Sequence, residues 1–576
     1  MVRVMSRVFT RLVAVIAALQ LAGCSALPQL PLPLRRVVVP ERVGPQVMVA
    51  TANPLATEAG LKVLREGGSA IDAAIAVQAV LGLVEPQSSG LGGGSFMVYY
   101  DAKSRKVTAY DGRETAPAGA TADMFLGEDG KPMSFVTALL SGRATGTPGV
   151  VAMLAMAHRD HGERAWSSLF GDAEQLATDG FIVSPRLAGM IAGPFPQAST
   201  ADSKRYFTKA DGSRMVAGDR LKNPDYAATI HRLAVEGPSA LYEGAIAEAL
   251  VARTHEGANP GAMTLADIRA YKPTRREALC RPYRVYVVCT TWPPSSGVGL
   301  LQGLMLLERT DIAHRDPSDP LAWVLLAQAE RLMYADRDRY VGDVEVPIKG
   351  LLDPAYVDRR AAMIGDHIGP APKAGDPVGA GVRGPDRTVE PGGTSHFVVV
   401  DARGDVVSMT TTVESIFGSG RMVAGFYLNN QMTDFSFSPK DPDGAPAANA
   451  PGPGKRPRSS MSPAIVLDRD GRLVAALGSP GGNSIISYNL KALVGILDWH
   501  LSLQEAFNLP NLVARGERFS SEPALYQPGV VEALKAFGLV FNNTAGENSG
   551  LHGVAVTPGG LTGAADPRRE GVAKGY

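Results

Sequence analysis

A threonine at the start of an apolar run has the surroundings best suited to chemistry. The segment E-P-G-G-T-S-H-F-V-V-V-D places Thr394 directly after a Pro-Gly-Gly turn and at the first position of a predicted strand. A threonine hydroxyl is a weak nucleophile, but the α-amine of an N-terminal threonine can activate it. Cleavage of the Gly393–Thr394 bond would free such an amine, whose pKa lies near neutrality. The pattern favours a self-cleaving precursor, although a loop that meets a strand accounts for the segment taken alone.

The residues before this threonine have the composition of an irregular segment. Between Gly369 and Gly393 the chain is rich in glycine and proline, which disfavour regular structure. We therefore expect residues 368–393 to form a flexible, exposed linker before the cleavage site. Helical patterns predominate from 150 to 370, and strand patterns follow the linker, with a hairpin signal at D-A-R-G-D. The sequence predicts a helix-rich first part and a strand-rich second part.

Two helices and a glycine-rich turn are predicted near the beginning of the folded chain. Pro54 lies near the start of the first helix, and Gly67 and Gly68 end it. The second helix, from Ala70 to about Leu83, is apolar throughout and must be buried. The turn S-S-G-L-G-G-G-S-F-M that follows has no Gly-Lys-Ser/Thr and opens no helix. We interpret it as a place of close backbone packing and not as a phosphate loop.

Composition and charge restrict the class of protein. The 576 residues include 57 Lys and Arg against 57 Asp and Glu, and 45% of them are apolar. The chain is long enough for a large core, and its balanced charge argues against nucleic acid as a partner. The nine histidines are scattered without metal-ligand spacing. No metal site and no cofactor are implied.

The N-terminus has the pattern of an exported lipoprotein. Arg3, Arg7 and Arg11 precede the apolar run Leu12 to Leu21, which is too short to span a bilayer. The run ends in L-A-G-C and resembles the lipobox of bacterial lipoproteins, in which the cysteine, here Cys24, is lipidated. We expect residues 1–23 to be a signal peptide and 24–47 a lipid-anchored tether in the periplasm. Ser25 resembles the residue that directs lipoproteins to the outer membrane; an ordinary signal peptide with an incidental cysteine is the alternative.

The two remaining cysteines suit a hairpin. Cys280 and Cys289 lie in A-L-C-R-P-Y-R-V-Y-V-V-C-T, with alternating apolar residues around an R-P-Y turn. An exported protein meets an oxidising compartment, which permits a disulfide. Two buried thiols remain the alternative, because the sequence does not give the Cα separation that a disulfide needs.

Several motifs in order resemble one family. G-G-T-S-H-F, F-G-S-G-R-M-V-A-G-F-Y-L-N-N-Q-M-T-D-F-S, K-R-P-R-S-S-M-S-P and G-S-P-G-G-N are similar to the γ-glutamyltransferase (γ-glutamyltranspeptidase) family, as are G-L-G-G-G-S-F-M, G-R-E-T-A-P, P-P-S-S-G and A-D-P-R-R-E-G. The resemblance covers the chain from about Met48 to Tyr576. It implies an α+β fold of the N-terminal-nucleophile hydrolase class, a four-layer αββα sandwich. It also implies self-cleavage into a large subunit, 48–393, and a small catalytic subunit, 394–576, which remain together as a heterodimer.

The resemblance also implies an enzyme and its machinery. A hydrolase or transferase of glutathione and other γ-glutamyl compounds would form an ester on Thr394, which water or an acceptor amine resolves. Thr412 in M-T-T-T-V matches the threonine that orients the nucleophile. Gly481 and Gly482 match the backbone oxyanion hole of the family, where donors to the developing negative charge are needed.

A second set of residues matches the substrate-binding groups of the family. The substrate α-carboxylate needs a forked cation and hydroxyl donors, and the α-ammonium needs acceptors. The matches for the carboxylate are Arg113, Ser459 and Ser460, and those for the ammonium are Gln431 and Asp434, with Glu414 at a position where the family commonly has asparagine.

Two departures bear on substrate preference. A carboxylate at Glu414 could hold the ammonium more strongly, or two like charges with Asp434 could raise one pKa. The segment between Asp434 and Ser459 corresponds to the lid loop of the family but contains no tyrosine. We therefore expect a site that is more open to bulky substrates.

Two alternative functions remain at this point. One is an acylase of other amides, such as cephalosporin side chains, but a glutaryl-type substrate has no α-ammonium for Gln431 and Asp434 to bind. The other is an inactive, lipid-anchored binding protein, against which the intact set of Thr394, Thr412 and the Gly481–Gly482 pair argues.

Overall fold

The computed structural model describes residues 44–386, 388–542 and 549–576. The predicted signal peptide, the lipidation site Cys24 and nearly all of the tether lie outside these residues. The helices are α1 Pro54–Arg65, α2 Ala70–Val84, α3 Phe135–Leu139, α4 Val150–His161, α5 Gly171–Asp179, α6 Pro185–Ala192, α7 Ala201–Tyr206, α8 Pro224–Glu236, α9 Ser239–Tyr242, α10 Gly244–Thr254, α11 Leu265–Ala270, α12 Gly297–Glu308, α13 Pro320–Tyr340, α14 Ile348–Leu351, α15 Pro354–Ala361, α16 Ile485–Leu497, α17 Leu503–Asn508 and α18 Val530–Ala536. The strands are β1 Met48–Thr51, β2 Gly94–Asp101, β3 Lys106–Gly112, β4 Phe181–Ile182, β5 Arg220–Leu221, β6 Thr274–Glu277, β7 Leu279–Tyr283, β8 Tyr286–Thr290, β9 Thr394–Val400, β10 Val406–Thr412, β11 Met422–Val423, β12 Phe426–Tyr427, β13 Ala464–Leu467, β14 Leu473–Gly478, β15 Leu512–Arg515, β16 Arg518–Ser521, β17 His552–Thr557, β18 Gly560–Ala565 and β19 Val572–Gly575.

Two large antiparallel sheets form the centre of the fold. The first has the strand order β19-β1-β9-β10-β2-β3-β6, and the second has the order β18-β17-β14-β13-β8-β7. Each sheet contains strands from both sides of Thr394, so the predicted division into a helix-rich and a strand-rich part is too simple. The difference arises because β9 and β10 pair with β1 and β2, which come from the first part of the chain.

The sheets stack face to face, with helices outside them. Val98 and Val398 of the first sheet pack with Ile465 and Val554 of the second. Because side chains alternate along a strand, Val399 points the other way and packs with α1 and α2. The outer face of the second sheet packs with α12, α13 and α16. The predicted four-layer αββα sandwich is confirmed.

The second helix is buried along its whole length. Ser69 caps it by accepting a hydrogen bond from the Asp72 amide, and the Asp72 side chain accepts one from the Ser69 amide, so that both ends of the first turn are satisfied. Every residue from Ala70 to Val84 is buried, as the sequence predicted. Each fully buried Val, Leu or Ile side chain stabilises the fold by about 1.5–3 kcal/mol. The helix therefore contributes strongly to the core that packs on the first sheet.

The glycine-rich turn allows two backbones to meet behind the site. A Cβ atom on Gly93 would lie 1.9 Å from the carbonyl oxygen of Thr412, and one on Gly92 would lie 2.2 Å from that of Tyr427. Neither approach leaves room for a side chain. The interpretation as close backbone packing agrees with this geometry.

The two cysteines lie opposite each other on adjacent strands. Cys280 of β7 and Cys289 of β8 are paired in register. Their Cα atoms are 4.0 Å apart, and their sulfurs are joined at 2.09 Å. The disulfide closes the hairpin at one edge of the second sheet.

The segment before Thr394 contains neither helix nor strand among its described residues. Val378 and Val382 are 79% and 78% exposed, as expected for a linker. The end of the segment differs, since Asp386 and Glu390 are buried. Among the residues that the structure describes, no helix has the length and apolar character needed to cross a bilayer.

Candidate active site

The predicted nucleophile lies beside the bond that it would cut. The chain is continuous from Gly393 to Thr394, so this is the uncut form. Thr394 Oγ1 donates a hydrogen bond to Thr412 Oγ1 at 3.2 Å, and Thr412 Oγ1 donates one to the Gly393 carbonyl oxygen at 2.6 Å. A donor to this carbonyl polarises it toward attack. The three residues together form an arrangement for cleavage of their own peptide bond.

The strand register brings the two threonines together. Thr394 is the first residue of β9 and Thr412 is the last of β10, and they are direct partners in the antiparallel pair. Thr412 Oγ1 also accepts the amide hydrogen of Glu414 at 2.8 Å. Arg569, in the C-terminal A-D-P-R-R-E-G motif, donates to the Thr394 carbonyl oxygen at 2.9 Å. The nucleophile is thus fixed by its partner strand and by the C-terminus.

The glycine pair lies against the segment that precedes the cleavage site. Gly481 and Gly482 have φ values of 131° and 53°, in the region that favours glycine. A Cβ on Gly482 would lie 2.3 Å from the Glu390 carbonyl oxygen and 2.5 Å from that of Pro391. The carbonyl of Gly393 is instead polarised by Thr412. The pair can serve as the predicted oxyanion hole once the segment has left.

The predicted ammonium ligands form a buried acidic cluster. Gln431 Nε2 donates to Asp434 Oδ2 at 2.6 Å, and Ser415 and Asn430 donate to Oε2 of Glu414. One further acceptor atom on each of Glu414, Gln431 and Asp434 is buried and has no hydrogen-bond donor among the described residues. Unpaired buried acceptors are unfavourable. The cluster therefore suits a ligand with several N–H donors, such as an ammonium.

The two carboxyl groups of this cluster compete for ionisation. Burial and the nearby charge of Asp434 raise the pKa of Glu414 well above its usual value. Burial also raises the pKa of Asp434 to about 6, although Arg113 opposes the shift. Glu414 has a positive φ of 82°, which strains a non-glycine residue. The charge of Asp434 thus acts with burial to raise the pKa of Glu414.

Arg113 connects the acidic cluster to the serine loop. It is 1% exposed and donates to Asp434 Oδ2 at 2.6 Å. It also donates to the carbonyl oxygens of Pro457 and Arg458, at 3.1 and 2.7 Å. In the uncut chain the Arg113 guanidinium thus links the acidic cluster to the loop that carries the two serines.

One serine of the pair, Ser460, faces a carboxylate of the chain itself. Ser460 donates its amide and its hydroxyl to Oε2 of Glu390, at 3.0 and 2.6 Å. Ser459 accepts the amide hydrogen of Met461 at its hydroxyl and lines the same cavity. The sequence did not single out Glu390, which stands four residues before Thr394.

Two buried arginines complete this region and were also missed. Arg337 and Arg458 contact Glu390 Oε1, and neither side chain is exposed. Arg337 comes from α13, far from the catalytic motifs in sequence. Arg458 stands in the quoted motif K-R-P-R-S-S-M, and its place directly before the serines was the one signal available.

The structure brings nearly all of the predicted site residues around one small cavity. Its lining includes the nucleophile, its threonine partner, the carboxylate and ammonium ligands and one glycine of the pair: Thr394, Thr412, Arg113, Ser459, Ser460, Glu414, Gln431, Asp434 and Gly482. Glu390 and Pro391 also line it, and its volume is only about 20 Å³. Such a cavity has room for about one or two water molecules, so the uncut chain closes its own site.

A larger groove adjoins the segment that closes the site. It has a volume of about 950 Å³ and is lined by Phe135, Phe437, Thr388 and Val389, among others. Phe437, in the lid segment, stacks on Phe125 with ring centroids 4.6 Å apart. In this tyrosine-free segment, the Phe437 ring therefore packs against Phe125 and against Phe135 of α3.

Comparison with known proteins gives a consistent result. A family model described as gamma-glutamyltranspeptidase matches residues 56–576. A Bacillus subtilis (strain 168) protein named glutathione hydrolase proenzyme is 38% identical over 554 residues, which cover 92% of this chain and 92% of that protein. The crystal structure of Helicobacter pylori gamma-glutamyltranspeptidase has 32% identity and a TM-score of 0.55, and the match covers 59% of this chain and 97% of that one. A cephalosporin acylase from Bacillus halodurans, at 24% identity and a TM-score of 0.79 over 96% of this chain and 99% of that one, shares the fold.

Proposed function

The chain belongs to the gamma-glutamyltranspeptidase family, and from this premise we propose that it is a self-processing glutathione hydrolase and γ-glutamyltransferase. It cleaves γ-glutamyl amides such as glutathione through an ester on Thr394. Water or an acceptor amine, such as that of an amino acid or peptide, then resolves the ester. The observation that carries the proposal is the pair of hydrogen bonds that links Thr394 Oγ1, Thr412 Oγ1 and the Gly393 carbonyl oxygen.

Processing begins at this triad of groups. Thr394 Oγ1 adds to the Gly393 carbonyl carbon, and Thr412 donates to the oxygen that becomes negative. The C–N bond then breaks, the nitrogen takes the proton that the Thr394 hydroxyl has lost and becomes the α-amine, and Gly393 is held as an ester. Water hydrolyses the ester to a Gly393 carboxylate and a free hydroxyl. The products are the large subunit, ending at Gly393, and the small subunit, beginning at Thr394.

The same hydroxyl then serves the second reaction. The new α-amine accepts its proton as it attacks the γ-carbonyl of the donor. Amides of the Gly481–Gly482 loop stabilise the oxyanion, and one such donor contributes about 3–4 kcal/mol. The leaving amine takes a proton, and the γ-glutamyl ester remains on Thr394. The acidic cluster and the Arg113–Ser460 region hold the two charged groups of the donor α-carbon.

The intact masses of the wild-type protein and of Thr394→Ala test this proposal. We expect two chains in the wild type, the smaller beginning at Thr394, and one chain in the variant. The cut protein should release the amine of a γ-glutamyl anilide. A wild-type chain that stays whole would show that the site is inactive and favour the binding-protein alternative.

The acylase alternative is tested by a matched pair of substrates. A glutaryl anilide differs from a γ-glutamyl anilide by the absence of the α-ammonium. The unpaired acceptors of Glu414, Gln431 and Asp434 favour the substrate that supplies this group. We expect kcat/KM to be at least about a hundredfold higher for the γ-glutamyl compound; equal values would support an acylase.

Export and anchoring are proposed from the N-terminal sequence. Leu12 to Leu21 and the L-A-G-C motif support secretion and lipidation at Cys24. The heterodimer would then act in the periplasm, held to the outer membrane. Cys24→Ser should move the activity from the membrane fraction to the soluble periplasmic fraction, whereas an unchanged distribution would rule out the anchor.

A further inference from the structure

A buried carboxylate of the leaving segment has the surroundings of a bound ligand. Glu390 Oε2 accepts hydrogen bonds from the amide and hydroxyl of Ser460, at 3.0 and 2.6 Å. Its Oε1 contacts Nη2 of Arg337 and lies 3.3 Å from Nε of Arg458. Burial opposes ionisation, but the two guanidinium groups lower the pKa of Glu390 to about 2. A single carboxylate thus receives four hydrogen bonds, two of them from positively charged guanidinium groups.

The segment that carries this carboxylate is held by backbone hydrogen bonds, such as those from Gly384 to Pro446 and from Asp386 to Asp338, and by its buried acidic side chains. Val378, Val382 and Val389 are 79%, 78% and 56% exposed, so these apolar side chains contribute little to holding it. By contrast, Asp386 accepts from Asn449 at 2.9 Å and lies 3.0 Å from Arg458. Electrostatic contacts to the Glu390 region therefore position the residues that lead to the scissile bond.

One of the residues that donate hydrogen bonds to Glu390 is also expected to hold a substrate. Ser460, which matches the hydroxyl donors for the α-carboxylate, gives both of its donors to this side chain. Resting on the proposed function, we propose that Glu390 is an internal surrogate for the donor's α-carboxylate, and that Arg337 and Arg458 are further positioning residues for that carboxylate in the cut enzyme. The segment thus places the scissile bond during processing and blocks the donor until it leaves.

Because the two arginines are buried, the carboxylate of the donor should take the place of the Glu390 carboxylate once the segment has left. Arg458 is fully buried, and its Nη atoms have no aligned hydrogen-bond acceptor among the described residues, although Nη2 lies near Asp386. Arg337 is fully buried as well and donates to Ser296 and Ser460. When the segment departs, it removes both carboxylates that face Arg458. A buried cation without a counter-charge is unfavourable, and a donor carboxylate restores the pairing.

Two synthetic peptides test the surrogate directly on the cut wild-type enzyme. Thr-Val-Glu-Pro-Gly-Gly has the sequence of residues 388–393, and its partner carries Gln in place of Glu. We expect the first to inhibit competitively with a γ-glutamyl anilide and the second to have an inhibition constant at least about tenfold higher. Equal inhibition by the two peptides, or inhibition that is not competitive, would overturn the inference.

Calorimetric binding of the same peptides separates this inference from the proposed function, because it needs no turnover. If the cut protein binds the Glu peptide tightly but does not cleave γ-glutamyl donors, the proposed function is wrong and only the carboxylate-binding site for Glu390 stands. If it cleaves donors but binds the two peptides equally, only the surrogate is wrong.

Variants test the positioning residues and the role in processing. Arg458→Gln should raise KM for the donor at least about fivefold, with kcat within about twofold, and should raise the inhibition constant of the Glu peptide in parallel. Arg458→Lys, which keeps the charge, should restore most of the donor affinity and most of the peptide inhibition. A change in KM for the donor without a parallel change in the inhibition constant of the Glu peptide would contradict a shared subsite.

The role in processing is tested at the acidic residues of the segment. Glu390→Gln should slow self-cleavage at least about fivefold, whereas Asp376→Asn, at an acid of the same segment whose side chain is 92% exposed, should not. If a variant does not fold, the binding of the two peptides to the wild-type protein still tests the inference.

Discussion

The hydroxyl of Thr412 donates a 2.6 Å hydrogen bond to the carbonyl oxygen of Gly393, the carbonyl of the bond to be cut. The same hydroxyl accepts the hydrogen bond of Thr394, the proposed nucleophile. One side chain therefore orients the attacking oxygen and polarises the atom that it attacks. This double contact depends on the β9–β10 register, which pairs the two threonines directly.

Removal of the Thr412 hydroxyl should slow self-cleavage strongly. Loss of one donor to a developing oxyanion costs about 3–4 kcal/mol, or about a hundredfold to a thousandfold in rate, so Thr412→Val should accumulate the uncut chain. Thr412→Ser should stay within about tenfold of the wild type. Thr411→Val is the control, since Thr411 lies on the opposite face of the strand and its hydroxyl bonds to Gly94. The time course of subunit formation on denaturing gels measures all three; equal rates for Thr412→Val and Thr411→Val would exclude the role.

Donor binding should depend on pH through the acidic cluster. Burial raises the pKa of Asp434 to about 6, so part of the cluster holds a proton below that pH. An ammonium binds best to ionised carboxylates, and the proton must leave when the donor enters. We expect kcat/KM for a γ-glutamyl anilide to rise between about pH 5 and 7, with the change mainly in KM.

Glu414→Gln should change both the affinity and this pH profile. It removes the carboxyl group whose pKa is raised well above its usual value by burial and by the charge of Asp434, so one proton fewer must leave when the donor binds and the acid limb should move to lower pH. It also removes a candidate ammonium ligand, and KM at pH 7.5 should rise by about tenfold while self-cleavage continues. An unmoved acid limb would show that the two carboxyl groups do not interact.

Arg113 should matter for the donor and not for processing. Its guanidinium contacts Asp434 and the carbonyls of Pro457 and Arg458, whereas the scissile bond is served by Thr412. Arg113→Lys, which keeps a buried positive charge, should raise KM at least about tenfold and leave the rate of self-cleavage within about threefold. Arg472→Lys, at a 63% exposed side chain, is the control. Failure of Arg113→Lys to process would make Arg113 a structural residue.

Gly482→Ala should disturb the uncut chain by steric contact. A methyl group there meets the Glu390 and Pro391 carbonyl oxygens at 2.3 and 2.5 Å, so the segment before the cleavage site must shift and processing should slow about tenfold or more. Gly516→Ala is matched to it, with a similar φ of 61° and nothing within 4 Å. It reports the backbone strain alone. Similar processing rates for the two variants would mean that the contact is unimportant.

Much of the site could be predicted from local sequence. Thr394 stands out because a nucleophile that activates itself needs no partner at a set spacing, and the Pro-Gly-Gly turn marks the place. The helix from Ala70 to about Leu83 follows from an unbroken apolar pattern, and a short hairpin made the Cys280–Cys289 disulfide plausible, with two buried thiols as the alternative. The order of the motifs indicated the fold and the ligands Arg113 and Asp434 by resemblance.

The tertiary structure decided which charges face one another. Glu390 belongs by composition to an exposed linker, and Arg337 to an ordinary helix, so no local pattern distinguishes them from solvated residues. Their pairing depends on β9 lying between β1 and β10, which carries the end of the linker into the space between α13 and the serine loop. Periodicity reports only whether a side chain is buried, whereas electrostatic partners are set by contacts between segments that are distant in the chain. The sequence by itself therefore indicated the candidate nucleophile and, through the family resemblance, the layers, and only the folded chain showed that Glu390 lies against Ser460, Arg337 and Arg458.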